Sequence, residues 1–179
     1  MLEHGCDQTA FFSHTAGYQY TIMIIQASTG ELFGGFNSIA WKQSSNYYGS
    51  GESFIFKIGI YFYFIDSSCL LKLSYCEMIW GILVSHYLEN DFSASRYCWT
   101  QTNSLFMWSD HCSIAMGGGG KGFAFVITDD FYSGSTNRSE TYDNEPLVAS
   151  NEFTIDNLEV WAFSKFVDHR KAAPTLRKR

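Results

Sequence analysis

The eight residues 20–27, Tyr-Thr-Ile-Met-Ile-Ile-Gln-Ala, constrain this chain more than any other stretch, because they are apolar at both alternating positions. Successive side chains of a strand point to opposite faces, so such a run must be covered on both sides, in the middle of a layered β structure. Ser28-Thr29-Gly30 then supplies turn chemistry, and residues 32–36 form the return arm of a hairpin. The pattern recurs. A tight glycine turn, Tyr47-Tyr48-Gly49-Ser50-Gly51-Glu52, enters Phe54-Ile55-Phe56, and further strands read at residues 97–100, 105–109, 113–116 and 123–128. In the last apolar run Phe153 and Ile155 keep one phase while Leu158, Val160 and Ala162 keep the other, which requires a bulge at Asp156-Asn157. Near the start, Asp7 caps a short helix through Phe11 and Phe12 that ends at Gly17. Without a repeated strand-then-helix alternation, the expected fold is a mainly-β, two-sheet antiparallel sandwich with small helices.

A chain of 179 residues suits one core. Its 18% aromatics, with 15 glycines against 2 prolines, favour short strands and tight turns. The net charge of -6 argues against nucleic acid as a partner, since phosphate neutralisation needs a surplus of Lys and Arg. Arg170, Lys171, Arg177, Lys178 and Arg179 read as a solvated basic tail over residues 167–179. The five cysteines, Cys6, Cys69, Cys76, Cys98 and Cys112, are odd in number, lack paired spacing and follow no signal peptide. An intracellular, cytoplasmic protein with free thiols is expected, and the sequon Asn137-Arg138-Ser139 is then chance. Lys57, Asp66, Lys72 and Glu77 interrupt the apolar region 54–88, so no run reaches the roughly 18 residues of a membrane span.

Candidate chemistry is sparse. Gly117-Gly118-Gly119-Gly120-Lys121-Gly122 fails as a phosphate loop, because the motif needs a glycine where Ala115 stands and Ser or Thr where Gly122 stands. It reads instead as a corner where bulky neighbours press on bare backbone between two strands. Asp129 and Asp130 are adjacent and so face opposite ways on a strand; with Glu140 and Asp143 they read as turn formers. Glu52, directly after a glycine turn, is placed to accept backbone N–H bonds there. The scattered His4, His14, His86, His111 and His169 make no zinc pattern, and no nucleophile elbow exists. Cys98, between Tyr97 and Trp99, reads as a packed thiol, and with Cys112 it is open to oxidation only if exposed.

Five blocks in order carry a family resemblance: Glu31-Leu32-Phe33-Gly34-Gly35-Phe36; Tyr48-Gly49-Ser50-Gly51-Glu52-Ser53-Phe54; Ser113-Ile114-Ala115-Met116 with Gly117, Gly118, Gly119 and Gly120; Ser139-Glu140-Thr141-Tyr142-Asp143-Asn144-Glu145-Pro146-Leu147; and Leu158-Glu159-Val160-Trp161-Ala162-Phe163. Together they resemble the TLDc domain of the oxidation-resistance family, and the piece from His4-Gly5-Cys6 to Phe12 is somewhat nearer to the TBC-and-TLDc proteins. The resemblance implies a two-sheet sandwich, a link to oxidative-stress resistance, and a protein partner in the vacuolar proton-pumping ATPase, through which the chain would reach a membrane peripherally. It carries over no catalytic residue, metal or cofactor. Gly49, Gly51, Glu52, Gly117, Gly118, Gly119, Gly120, Asn144, Pro146, Glu159 and Trp161 are then structural motif residues.

The TLDc-like domain is expected over residues 3–166, short of a segment the family carries ahead of its first helix. Residues 59–95 depart from the family and read as an insertion. The run Ile60-Tyr61-Phe62-Tyr63-Phe64-Ile65 suits a translated intron, and a genuine loop with a helix over 75–88 is the alternative. The expected function is a non-catalytic interaction module. The alternatives are a thiol-based antioxidant enzyme using Cys98 or Cys112, and a non-functional truncated or mis-spliced product.

Overall fold

The computed structural model describes residues 8–60 and 92–163. Among these described residues one helix, α1 (Gln8–Thr15), precedes ten strands: β1 (Thr21–Ala27), β2 (Leu32–Asn37), β3 (Ser44–Tyr48), β4 (Phe54–Ile60), β5 (Phe92–Tyr97), β6 (Met107–Ser109), β7 (Ser113–Met116), β8 (Phe125–Thr128), β9 (Ser133–Thr136) and β10 (Glu152–Ala162). Every pairing is antiparallel, in the order β3-β6-β7-β8-β9-β10-β1-β2-β4-β5. The mainly-β expectation therefore holds. Its two layers are halves of one continuous sheet: Phe33 of β2 meets Phe125 of β8 at 6.1 Å and Phe153 of β10 at 5.0 Å between ring centroids.

The join between the layers is β10. Residues Glu152 to Thr154 pair with β9, whereas the later ones pair with β1. The register steps from Gln26↔Asn157 to Ala27↔Ile155, leaving Asp156 unmatched. This is the bulge that the phase switch in the sequence requires. It lets Phe153 and then Leu158 and Val160 all pack against the principal core, on opposite sides of a bend.

β1 is covered on both faces, as its composition dictates. Met23, Ile25 and Ala27 enter the core between the layers, while Ile22 and Ile24 join Phe36, Phe54, Phe56 and Ile58 in a second buried cluster. On that second face the Phe36 and Phe54 rings stack at 5.1 Å, and Arg96 lies over Phe54 at 5.6 Å. Helix α1 is tied down by Phe11, which packs on Trp41 and Phe131, and by Gln8, whose amide donates to the Asp110 carbonyl at 2.6 Å.

Two strands, β3 and β9, were not expected. Their sequences, Ser-Ser-Asn-Tyr-Tyr and Ser-Gly-Ser-Thr, carry no apolar alternation, and partner strands rather than local pattern hold them. The strand expected at 97–100 is displaced: β5 ends at Tyr97, and Cys98, Trp99 and Thr100 leave the sheet. The strands expected at 105–109 and 123–128 are shorter, beginning at Met107 and Phe125. At the expected insertion, β4 runs on to Ile60, which faces Phe92 of β5. Residues 59–60 and 92–95 are thus paired strand. The rest of that stretch with its expected helix, the Asp7 cap and the tail 167–179 lie outside the described residues.

Candidate functional site

The motif glycines gather at one end of the sandwich, where four loops meet, and each is a point of close approach. A Cβ on Gly117 would lie 2.6 Å from the Tyr142 ring, one on Gly118 2.9 Å from Leu105 and Tyr47, and one on Gly119 2.8 Å from the Glu140 carboxylate. Gly117, Gly119 and Gly120 also have φ of 67°, 80° and 68°, so both backbone and space demand glycine. Nearby, a Cβ on Gly49 would lie 2.7 Å from Phe106, and one on Gly51 would run straight into the Trp99 ring. Bulky neighbours thus press on the bare backbone of residues 117–120 between β7 and β8.

Hydrogen bonds lock these loops together. The N–H of Gly118 donates to the Leu105 carbonyl at 2.8 Å and to the Thr141 hydroxyl at 3.1 Å. That hydroxyl lies 2.8 Å from the Asn103 side-chain carbonyl, to which it donates. The Glu140 carbonyl accepts from both the Thr100 and Thr102 hydroxyls, at 2.7 and 2.9 Å. Trp99 stands edge-on to Phe106 at 5.3 Å, and its indole N–H donates to the Asn103 carbonyl. Asn103 and Trp99 escaped the sequence reading, because nothing local marks a loop residue that is anchored by partners far along the chain.

Asn144 is fully buried and uses its whole amide. Its Oδ1 accepts from the Ser139 N–H at 3.2 Å and the Ser139 hydroxyl at 2.8 Å, and its Nδ2 donates to the carbonyls of Asn137 and Glu145 at 2.8 and 2.9 Å. Pro146 and Glu52 are exposed. The described bonds of the Gly49–Gly51 turn come from Ser50, whose carbonyl accepts from the Ser53 N–H and whose hydroxyl accepts from the Glu52 N–H. Asp130 is a turn former, accepting from the Thr128 hydroxyl and the Tyr132 N–H, which hold its carboxyl below the usual range. Glu159 and Trp161 lie on the outer face of β10 and are joined by an indole-to-carboxylate bond of 2.8 Å.

Both described thiols, Cys98 and Cys112, are exposed, which corrects the packed reading of Cys98. Cys98 follows β5 into the loop cluster and so escapes the sheet interior. It stands near Tyr142, whose hydroxyl is driven far up by burial first and by Cys98 second, so the phenol stays neutral. Cys112 lies in the β6–β7 turn, at the end of that hairpin opposite to Phe106 and Gly117. The two sulfurs are separated by the length of the hairpin and cannot pair within one chain. Among the described residues no three His, Cys, Asp or Glu side chains cluster as metal ligands. A groove of about 530 Å³ over β8, β9 and β10 is lined by Thr128, Ser133, Ser135, Glu152 and Thr154, away from the motif glycines. Its Thr128 hydroxyl is taken by Asp130 and the Ser133 carbonyl, and Ser28 bonds Thr154.

The profile of the TLDc domain matches residues 1–164, from α1 through β10. The chain belongs to the TLDc domain family. It is 28% identical over 162 residues to Oxidation resistance protein 1 of Rattus norvegicus, covering 90% of this chain and 16% of that protein. It is 26% identical over 163 residues to Nuclear receptor coactivator 7 of Homo sapiens, covering 90% of this chain and 14% of that protein. The chain thus spans a small fraction of the curated relatives it matches. No helix among the described residues is long and apolar enough to cross a membrane.

Proposed function

We propose that this TLDc chain is a non-catalytic protein-docking module serving resistance to oxidative stress inside the cell, with the vacuolar proton-pumping ATPase as its partner. The observation that carries the reading is how the motif residues are used. The motif glycines admit close packing, and the Asn144, Thr141 and Ser139 side chains are bonded within the fold. Residues spent this way build a rigid end from which surface can be presented, and Oxidation resistance protein 1 among the relatives supports the stress context. The rival reading, a thiol antioxidant, draws on the exposure of Cys98 and Cys112. Their placement at opposite ends of the β6–β7 hairpin leaves neither able to resolve the other's sulfenic acid within one chain.

The test is co-sedimentation with purified vacuolar ATPase sectors. The parent chain is compared with a version in which an Asn-Gly turn replaces residues 61–91, joining Ile60 to Phe92, which already face each other. Both versions are expected in the pellet with the sectors. Folded protein that stays in the supernatant in both versions overturns the pump reading.

A further inference from the structure

Among the described residues, the bend in β10 leaves one stretch of sheet edge without a neighbouring strand. On the β9 side β10 is paired only from Glu152 to Thr154, and the Ile155 N–H closes the ladder by donating to the Tyr132 carbonyl at 2.8 Å. Beyond the Asp156 bulge, β10 pairs with β1 alone, and among the described residues no strand lies along its other edge. The Phe163 N–H donates to the Tyr20 carbonyl on the β1 side. Backbone direction alternates along a strand, so Asn157, Glu159 and Trp161 also turn their N–H and C=O groups toward β1. Leu158, Val160 and Ala162 point theirs the other way, into the open edge.

Unpaired N–H and C=O groups in a row template another strand. The side chains beside them define what that strand should carry. Toward the core, Leu158 and Val160 pack on the principal cluster but remain only partly buried. On the outer face, Trp161 is 61% exposed and fixed by Glu159, and Asn157 donates to the same carboxylate at 3.2 Å. Glu152 and Asp156 add exposed carboxylates along the same strand. An extended segment laid here would need apolar residues at alternate positions to finish the cover over Leu158 and Val160. The positions between would be basic, to pair with Glu159 and lie over the Trp161 ring.

We propose that the edge of β10 formed by Leu158, Val160 and Ala162 is a strand-addition site for an extended partner segment that alternates apolar and basic residues. This rests on the docking reading and names the surface and the chemistry of the partner. A second copy of this chain fits worse, since its identical edge, residues 152–163, carries Glu152, Asp156 and Glu159 and no Lys or Arg to answer them.

The probe is a blocked nonapeptide of alternating Val and Lys, titrated into the ¹⁵N-labelled chain and followed by amide NMR. Three controls run beside it: an alternating Val–Glu peptide, a block-ordered peptide of the same Val and Lys composition, and the Val–Lys peptide N-methylated at alternate amides. The amides of Leu158, Val160 and Ala162 are expected to shift, with binding at least about tenfold weaker for the Val–Glu and N-methylated peptides. Ala162→Pro removes one edge N–H and should weaken binding; Glu159→Lys, a surface change that needs no refolding, should favour the Val–Glu peptide. Equal binding of all four peptides, shifts elsewhere, or no binding by the folded chain overturns the site. So does a concentration-dependent dimer that protects the same amides without peptide. If the chain pellets with the ATPase sectors while the peptide leaves these amides unmoved, docking stands and this edge falls. The reverse result keeps the edge without the pump.

Discussion

Removing the Asn144 amide tests the claim that a motif residue holds the fold. Asn144→Ala deletes four hydrogen bonds, two to Ser139, which is 1% exposed, and two to the carbonyls of Asn137 and Glu145. The carbonyls belong to a half-buried and an exposed residue and can regain water, so they cost little. The Ser139 N–H and hydroxyl cannot, and an orphaned buried polar group costs about 1–3 kcal/mol. Part of that is recovered as the small cavity relaxes, leaving a loss of about 2–4 kcal/mol. For a chain of this size the melting temperature should fall by about 5–15 °C, read by circular dichroism against the parent. Asn144→Asp keeps the shape but sets a carboxylate against two carbonyls, so it should lose at least as much at neutral pH. Burial among acceptors raises the folded pKa of that new carboxyl. Its penalty is therefore present above that pKa and shrinks as pH falls through it, when protonation restores one donor. An Asn144→Ala loss under about 1 kcal/mol, or an Asp variant as stable as the parent at neutral pH, would refute the reasoning.

Gly51→Ala should cost about 1–3 kcal/mol in urea unfolding, because its Cβ runs into the Trp99 ring, and a Trp99→Leu background should remove most of that cost. Burial pushes the Asp110 carboxyl up, but the Cys112 and Ser113 amides and the Ser113 hydroxyl outweigh it and hold the group below its usual range. Its contribution is then fully present above the unfolded value of about 3.9 and lost as pH falls through the lower folded one. Asp110→Asn should flatten that part of the stability–pH curve, and an unchanged curve would contradict the assignment. A thiol-reactive probe should label Cys98 and Cys112 in the folded chain at the rate of ordinary exposed thiols, and saturation far faster than that would favour the thiol enzyme.

The parts legible in the sequence were those where one side-chain pattern decides the outcome. β1 is apolar on both faces and lies between two clusters, and the phase switch in β10 fixed its bulge to within one residue. β3 and β9 were invisible because Ser44, Ser45, Ser133 and Ser135 carry no burial signal, and only long-range pairing makes them strands. Residues 97–100 read as strand. Trp99 in fact serves from a loop, closing over Gly51 and Phe106. The same limit holds at the glycine end. Gly117 and Gly118 announce that something approaches closely, but not that the approaching groups are Tyr142, Leu105 and Tyr47. The open edge of β10 depends on where β9 stops pairing, a property of two strands that no run of residues displays alone.

The docking claim is met most directly by co-sedimentation of a Cys98→Ser, Cys112→Ser chain with purified vacuolar ATPase sectors. Binding equal to that of the parent is predicted, since neither thiol belongs to the motif core or to the β10 edge. A folded chain left in the supernatant, with or without its cysteines, would contradict it.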